Sequence, residues 1–112
     1  MLTLYGIKNC DTVKKARRWL EDHGIEYKFH DFRQDGLEKN LLSTWVNTLG
    51  WEAILNKRST TWRTLPDKDK DIASDAQAIK LLLANPTLIK RPVTQGNNVL
   101  LVGFKEAEYK KL

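Results

Sequence analysis

The first thirty residues of the chain read strand, helix, strand, and that order constrains the fold more than any other feature. Leu2 to Ile7 is a short, mostly apolar run that predicts a strand. Asp11 to His23 predicts a helix. Val13, Ala16, Arg17 and Leu20 fall at helical spacing with Trp19 beside them, and Lys14, Lys15, Arg18, Glu21 and Asp22 fill the other positions. Gly24 is placed to end that helix as its left-handed C′ residue. Ile25-Glu26-Tyr27-Lys28-Phe29-His30 then alternates, predicting a strand with one buried face. Two strands joined by one helix within roughly thirty residues make a βαβ unit whose strands run parallel.

The rest of the chain follows different periods. Phe32 to Gly36 reads as a turn, and Leu37 to Leu49 as a helix carrying Leu37, Leu41, Leu42, Trp45 and Leu49, broken by Gly50. Trp51 to Leu55 predicts a short helical turn, polar Asn56 to Thr64 a loop, and Pro66 to Ile72 the start of another helix. Ser74-Asp75-Ala76-Gln77 caps a further helix that runs to about Asn85 and is stopped by Pro86. Leu88 to Val93 leads into a strand, Gln95-Gly96-Asn97-Asn98 is a hairpin turn, Val99 to Val102 returns, and Gly103-Phe104 pass into a short C-terminal helix. The expected architecture is α/β: one domain over residues 1–112, with a mixed four-stranded sheet and a helical insertion at 37–85 between the βαβ unit and the C-terminal hairpin.

A chain of 112 residues can enclose one modest core. No apolar run is long enough to span a bilayer, and Met1 leads straight into Leu2-Thr3-Leu4-Tyr5, so neither a membrane span nor a signal peptide is expected. A single cysteine forms no internal disulfide, and the only histidines, His23 and His30, lie far apart. A reducing, cytoplasmic setting without a metal site is therefore expected. The net charge of +5 is dispersed over Lys14, Lys15, Arg17 and Arg18, then Lys57, Arg58 and Arg63, then Lys90-Arg91. Such a field favours anionic partners in general, a small anion or an anionic peptide included. Of the four tryptophans, Trp19 and Trp45 belong to helices, Trp51 begins a helical turn, and only Trp62 in the basic loop is placed for a partner, so nucleic acid is not expected.

The lone cysteine lies in Gly6-Ile7-Lys8-Asn9-Cys10-Asp11-Thr12, after the first strand and at the start of the first helix. With Asn9 or Cys10 at the N-cap, a thiolate there gains from the free amides and the positive end of the helix dipole. Lys8 adds positive charge nearby, and the Thr12 hydroxyl is a further candidate to assist the thiolate. The bland alternative is a small buried hydrophobe, but Asn9 and Asp11 flank the residue and it lies off the apolar face of the helix. Position 13, where a resolving cysteine would stand, is Val13. Any adduct on Cys10 must therefore be cleared by an outside thiol such as glutathione, or Cys10 does not turn over and the protein only binds.

The chain resembles the arsenate-reductase-like branch of the thioredoxin superfamily, a branch that also holds regulators binding RNA polymerase. The resemblance rests on Leu4 to Thr12, on Ile25-Glu26-Tyr27, on Asn56 to Arg63, on Ile89-Lys90-Arg91-Pro92-Val93 and on Leu101 to Tyr109, in that order and spacing. It implies a thioredoxin-like sheet, Cys10 as nucleophile, Arg91 as the arginine that steers an anionic substrate or a glutathione carboxylate, and a cis Pro92 facing the cysteine. Arsenate reductases use two further arginines. This chain has Asn56, with Lys57 and Arg58 close by, near the middle one and Val102-Gly103-Phe104 at the late one, so only Arg91 is matched. The Cys-x-x-Cys of the polymerase-binding regulators is also missing, which excludes sensing through an internal disulfide.

The function expected from these residues is a glutathione-dependent thiol oxidoreductase that reduces a small anionic or disulfide substrate. Cys10 and Arg91 would be catalytic, and Lys8, Asn9, Thr12, Arg58 and Pro92 would contact substrate or glutathione. No tightly bound cofactor is expected, glutathione serving as co-substrate, and the protein is expected to be a monomer. The alternative is a non-catalytic protein-binding adaptor or transcription-related regulator on the same fold.

Overall fold

The computed structural model describes residues 1–112. Three stretches that read as extended become the first strands: β1 (Leu2–Gly6), β2 (Tyr27–Asp31) and β3 (Val93–Gly96), with β4 (Val99–Val102) returning beside β3. They form one sheet in the order β2-β1-β3-β4. β1 runs parallel to β2 and antiparallel to β3, and β3 runs antiparallel to β4. The mixed four-stranded, thioredoxin-like sheet expected from the βαβ unit and the hairpin is thus present, with β1 between strands on both sides. The hairpin turn is tighter than expected. Asn97 and Asn98 alone span it, both at positive φ (51° and 65°), the type I′ geometry that suits the right-handed twist of paired strands.

Helix α1 (Asp11–Asp22) crosses between β1 and β2. Val13, Ala16 and Leu20 are fully buried and pack with Leu2, Leu4 and Tyr109 in one cluster. Removing the Val13 and Leu20 side chains from water contributes about 1.5–3 kcal/mol each. Arg17, which shares the helical spacing of the apolar set, is not in that cluster. Its guanidinium lies 4.3 Å from the Phe29 ring centroid and its Nε donates to the Tyr27 hydroxyl at 3.0 Å, so it joins the helix to β2 through its stem and its charge. The helix ends as its sequence predicts. Gly24 at φ +66° donates to Glu21 O, and Ile25 donates to Leu20 O at 2.9 Å, the paired bonds of a Schellman motif. His23 stacks on Trp19 with ring centroids 3.8 Å apart.

Close approach of α1 to β1 depends on Gly6. A Cβ there would meet Val13 Cγ2 at 2.7 Å, inside van der Waals contact. The short α7 (Glu106–Tyr109) closes this part of the chain with Tyr109, which is fully buried.

The chain divides into two compact units, residues 1–36 with 91–112 and residues 37–90. The second is helical: α2 (Lys39–Leu49), α3 (Trp51–Ile54), α4 (Thr60–Thr64), α5 (Asp67–Lys70), α6 (Asp75–Ala84) and a 3-10 turn at Pro86–Leu88. Its buried side chains include Leu42, Trp45, Ile54, Leu82, Leu88 and Ile89. Ser74 caps α6 by accepting from the Gln77 amide at 3.2 Å, while Gln77 Oε1 reaches back to the Ala73 amide at 2.7 Å. The stretch Asn56 to Thr64, expected as a loop, contains α4 instead. Ser59 caps that helix by accepting from the Trp62 amide at 3.1 Å, and a serine before a threonine-rich run carries no apolar period to reveal it.

Candidate functional site

Cys10, not Asn9, is the N-cap residue of α1, with extended backbone (φ −96°, ψ 126°) and its carbonyl accepting from the Lys14 amide at 3.0 Å. Its side chain makes no capping hydrogen bond. Ser, Thr, Asp and Asn fill this position in most helices by accepting from the first-turn amides, and a thiol leaves those amides available to other groups. Cys10 is half-exposed and packs on one side against the buried cluster of β1 and α1, so the apolar alternative holds for part of its surface. Asn9 and Thr12 are exposed, as is the Lys8 side chain.

The sheet brings the second part of the site to the same end. Tyr5 pairs with Val93 in the antiparallel register of β1 and β3. Pro92 directly precedes Val93, at the end of the sheet where Gly6 closes β1 before the Ile7-Lys8-Asn9-Cys10 turn. The Arg91–Pro92 peptide bond is cis, as the resemblance implied. Pro92 is buried, and its carbonyl accepts from the Gly103 amide at 2.8 Å. Arg91 is half-exposed. Cys10, Lys8, Asn9, Thr12, Arg91 and Pro92 therefore all belong to the unit built on the sheet. Arg58 belongs to the helical unit, where its side chain is exposed and its amide donates to Asn56 Oδ1 at 3.1 Å. In that unit Trp62 is half-buried with Lys57 Nζ and Lys70 Nζ at 5.8 and 5.9 Å from its ring centroid.

One residue tied to the turn before Cys10 was not legible in the sequence. Asp31, at the end of β2, is only 5% exposed. Its Oδ2 accepts from the Lys8 amide at 3.1 Å, and its Oδ1 from the Arg33 and Gln34 amides at 2.7 and 3.3 Å. Burial alone would push its carboxyl pKa up. The amides of Arg33, Lys8 and Gln34, with the Arg33 charge, outweigh that, and the group is held below the ordinary aspartate range. The signal available was an acid closing the alternation of β2 directly before a turn, a position that favours side-chain capping of the following amides.

A groove of about 500 Å³ runs along the outer side of α1, lined by Asp11, Lys15, Arg18, Trp19, Phe104 and Glu106 among others. Its aromatic floor is held in place: Trp19 and Phe104 each meet the Tyr109 ring edge-on, at centroid distances of 5.5 and 4.8 Å. The groove touches Asp11, the residue after Cys10, and Phe104, the residue after the Gly103 that is bonded to Pro92. No three His, Cys, Asp or Glu side chains form a group that could hold a metal ion, and no helix is long and apolar enough to cross a membrane.

The sequence profile of the ArsC family matches residues 5–112. The chain belongs to the ArsC family. A Haemophilus influenzae protein described as uncharacterized is 52% identical to it over 109 residues, covering 97% of this chain and 96% of that one. The global transcriptional regulator Spx of Streptococcus mutans is 33% identical over 112 residues, covering 96% of this chain and 80% of its own length. Among solved structures, a protein named YFFB superimposes with a TM-score of 0.94 at 44% identity, covering 99% of this chain and 97% of that one.

Proposed function

We propose that this ArsC-family chain is a protein-binding regulator rather than an arsenate reductase. The observation that carries the reading is its similarity, over nearly its whole length, to proteins named global transcriptional regulators, at 33% identity to the Streptococcus mutans example. The groove beside Cys10 supports it: a rigid aromatic floor with charges at the rim is the surface a protein segment anchors on. Because residue 13 is valine, no internal disulfide switches the surface. The redox state of such a regulator would be written on Cys10 alone, as a mixed disulfide with an outside thiol. The first partner to test is bacterial RNA polymerase, and the test is saturable binding of the purified chain, measured with wild type and Cys10→Ser. Binding no stronger than that of an unrelated basic protein of this size would sink the reading.

A second reading, a glutathione-coupled thiol reductase, is favoured by one specific observation: a half-exposed, uncapped thiol at the start of α1 at the same end of the sheet as the cis proline. In that chemistry the Cys10 thiolate attacks the glutathione sulfur of a protein–glutathione disulfide. The protein thiolate leaves, and a Cys10–glutathione disulfide remains. A second glutathione thiolate then attacks that disulfide, giving oxidised glutathione and free Cys10. Arg91 and Lys8 would meet the glutathione carboxylates in this scheme. Turnover in a glutathione-coupled assay that disappears in Cys10→Ser would establish it, and arsenate in the same assay separates this activity from oxyanion reduction.

A further inference from the structure

We infer that Asp31 is a positioning residue for the Cys10 thiol, its buried carboxylate bridging the turn that presents Cys10 and the turn that ends β2. The inference rests on Cys10 being the functional thiol in either reading above.

The turn between β1 and α1 has few internal ties of its own. Cys10 N donates to Ile7 O at 3.2 Å. Two further bonds tie it to the end of β2 and the residue after it: Phe32 N donates to Gly6 O at 2.9 Å, and Lys8 N donates to Asp31 Oδ2 at 3.1 Å. Lys8 and Asp31 are 23 residues apart in sequence, so this bond is a tertiary tether and not local turn chemistry. It sits two residues before the thiol. A buried carboxylate that spends one oxygen on its own turn and the other on the Cys10 turn fixes the direction from which the chain enters α1.

The two oxygens make the role separable from simple folding. Both of them accept, Oδ1 from Arg33 and Gln34 and Oδ2 from Lys8. An asparagine has one acceptor and one donor. In Asp31→Asn the amide group must face one set of backbone N–H groups donor to donor, and the set with a single N–H, Lys8, is the one it loses at least cost. Asp31→Ser acts differently: its one short hydroxyl can cap the Arg33 amide, as serine does in turns, but it lacks the second oxygen that reaches Lys8.

The experiment uses the full chain and reads two quantities in wild type, Asp31→Asn and Asp31→Ser. The first is hydrogen exchange and the proton shift of the Lys8, Arg33 and Gln34 amides by NMR. The second is the rate constant for modification of Cys10 by iodoacetamide and by oxidised glutathione at pH 7. The expected result is at least ~10-fold faster exchange at Lys8, with the β2 turn amides still protected, together with a Cys10 rate lowered about 3-fold or more. Lys8 protection unchanged in both variants, or lost while the Cys10 rate rises or stays within about 3-fold of wild type, overturns the inference and leaves Asp31 a purely structural cap. Should Asp31→Asn fail to fold, Asp31→Ser gives the same two readings. Failure of the premise that Cys10 is the functional thiol looks different. There, Cys10→Ser leaves partner binding unchanged and no glutathione-coupled turnover is seen in wild type, whatever the Asp31 variants do to the Cys10 rate.

Discussion

Thr94 and Tyr109 share a hydrogen bond at 2.7 Å in the interior, where both side chains are fully buried. The bond fastens α7 to β3, and it sits in the cluster that also holds the buried face of α1. Tyr109→Phe keeps the ring and strands the Thr94 hydroxyl. The expected cost is about 1–2 kcal/mol, a Tm lower by roughly 5–10 °C. Adding Thr94→Val should return part of that loss, because both polar groups are then gone. Burial holds the Tyr109 phenol above its ordinary value near 10, the Thr94 bond opposing and the Glu108 charge adding. A raised acid of this kind favours the folded state below pH ~10 and loses that contribution as pH rises through the folded value. Thermal melts from pH 8 to 11 should show this alkaline loss in wild type and a shallower one in Tyr109→Phe.

Asp31 acts at the other end of the pH scale. Its folded pKa lies below the ordinary value near 3.8, so the unfolded chain takes up the proton first as pH falls. The stability it adds is fully present above that value and is lost as pH drops through the folded pKa. In Asp31→Asn the acid limb of a stability–pH curve should be flatter between pH 5 and 2, from a lower starting stability at pH 7. Urea midpoints across that range check it. Parallel curves for the two proteins would show that Asp31 is not a source of the acid sensitivity.

Gly6→Ala is expected to destabilise by about 1–3 kcal/mol, since the new methyl would lie 2.7 Å from Val13 Cγ2. Val13→Ala alone also destabilises, by leaving a cavity in the cluster. The two changes together should cost less than their sum by at least ~0.5 kcal/mol, because the smaller side chain makes room for the new methyl. Chemical denaturation of the four proteins measures the coupling, and strict additivity would mean that the contact between β1 and α1 relaxes elsewhere.

The parts of the fold written in period and punctuation were legible in the sequence. Leu2 to Gly6, the Val13-Ala16-Leu20 face and the Gly24 stop each combine a regular pattern with a residue of special backbone freedom, and together they fix a parallel pair and its crossover. The place of Cys10 at the start of α1 was legible because the strand before it and the helix after it both were. Two things were not. Helix α4 carries no apolar stripe, and its existence depends on the Ser59 cap. Asp31 looks like any acid before a turn, and its meaning lies in a hydrogen bond to Lys8 that only the parallel pairing of β1 and β2 creates. Local chemistry announces itself in a sequence, while a tether between distant turns does not.

The groove along α1 gives the most direct check on the protein-binding reading. Lys15 and Arg18 are exposed on its rim, away from the buried cluster, and Cys10 lies outside its lining. Reversing both charges, Lys15→Glu with Arg18→Glu, should leave the Tm within about 2 °C of wild type, as surface substitutions generally do. Affinity for a partner established by the binding test should fall at least ~10-fold, with a weaker dependence on salt than the wild-type complex shows. Calorimetric or surface-based titration at two salt concentrations measures both. If affinity is unchanged while Cys10→Ser abolishes glutathione-coupled turnover, the groove is not the docking surface and the thiol reductase reading takes its place.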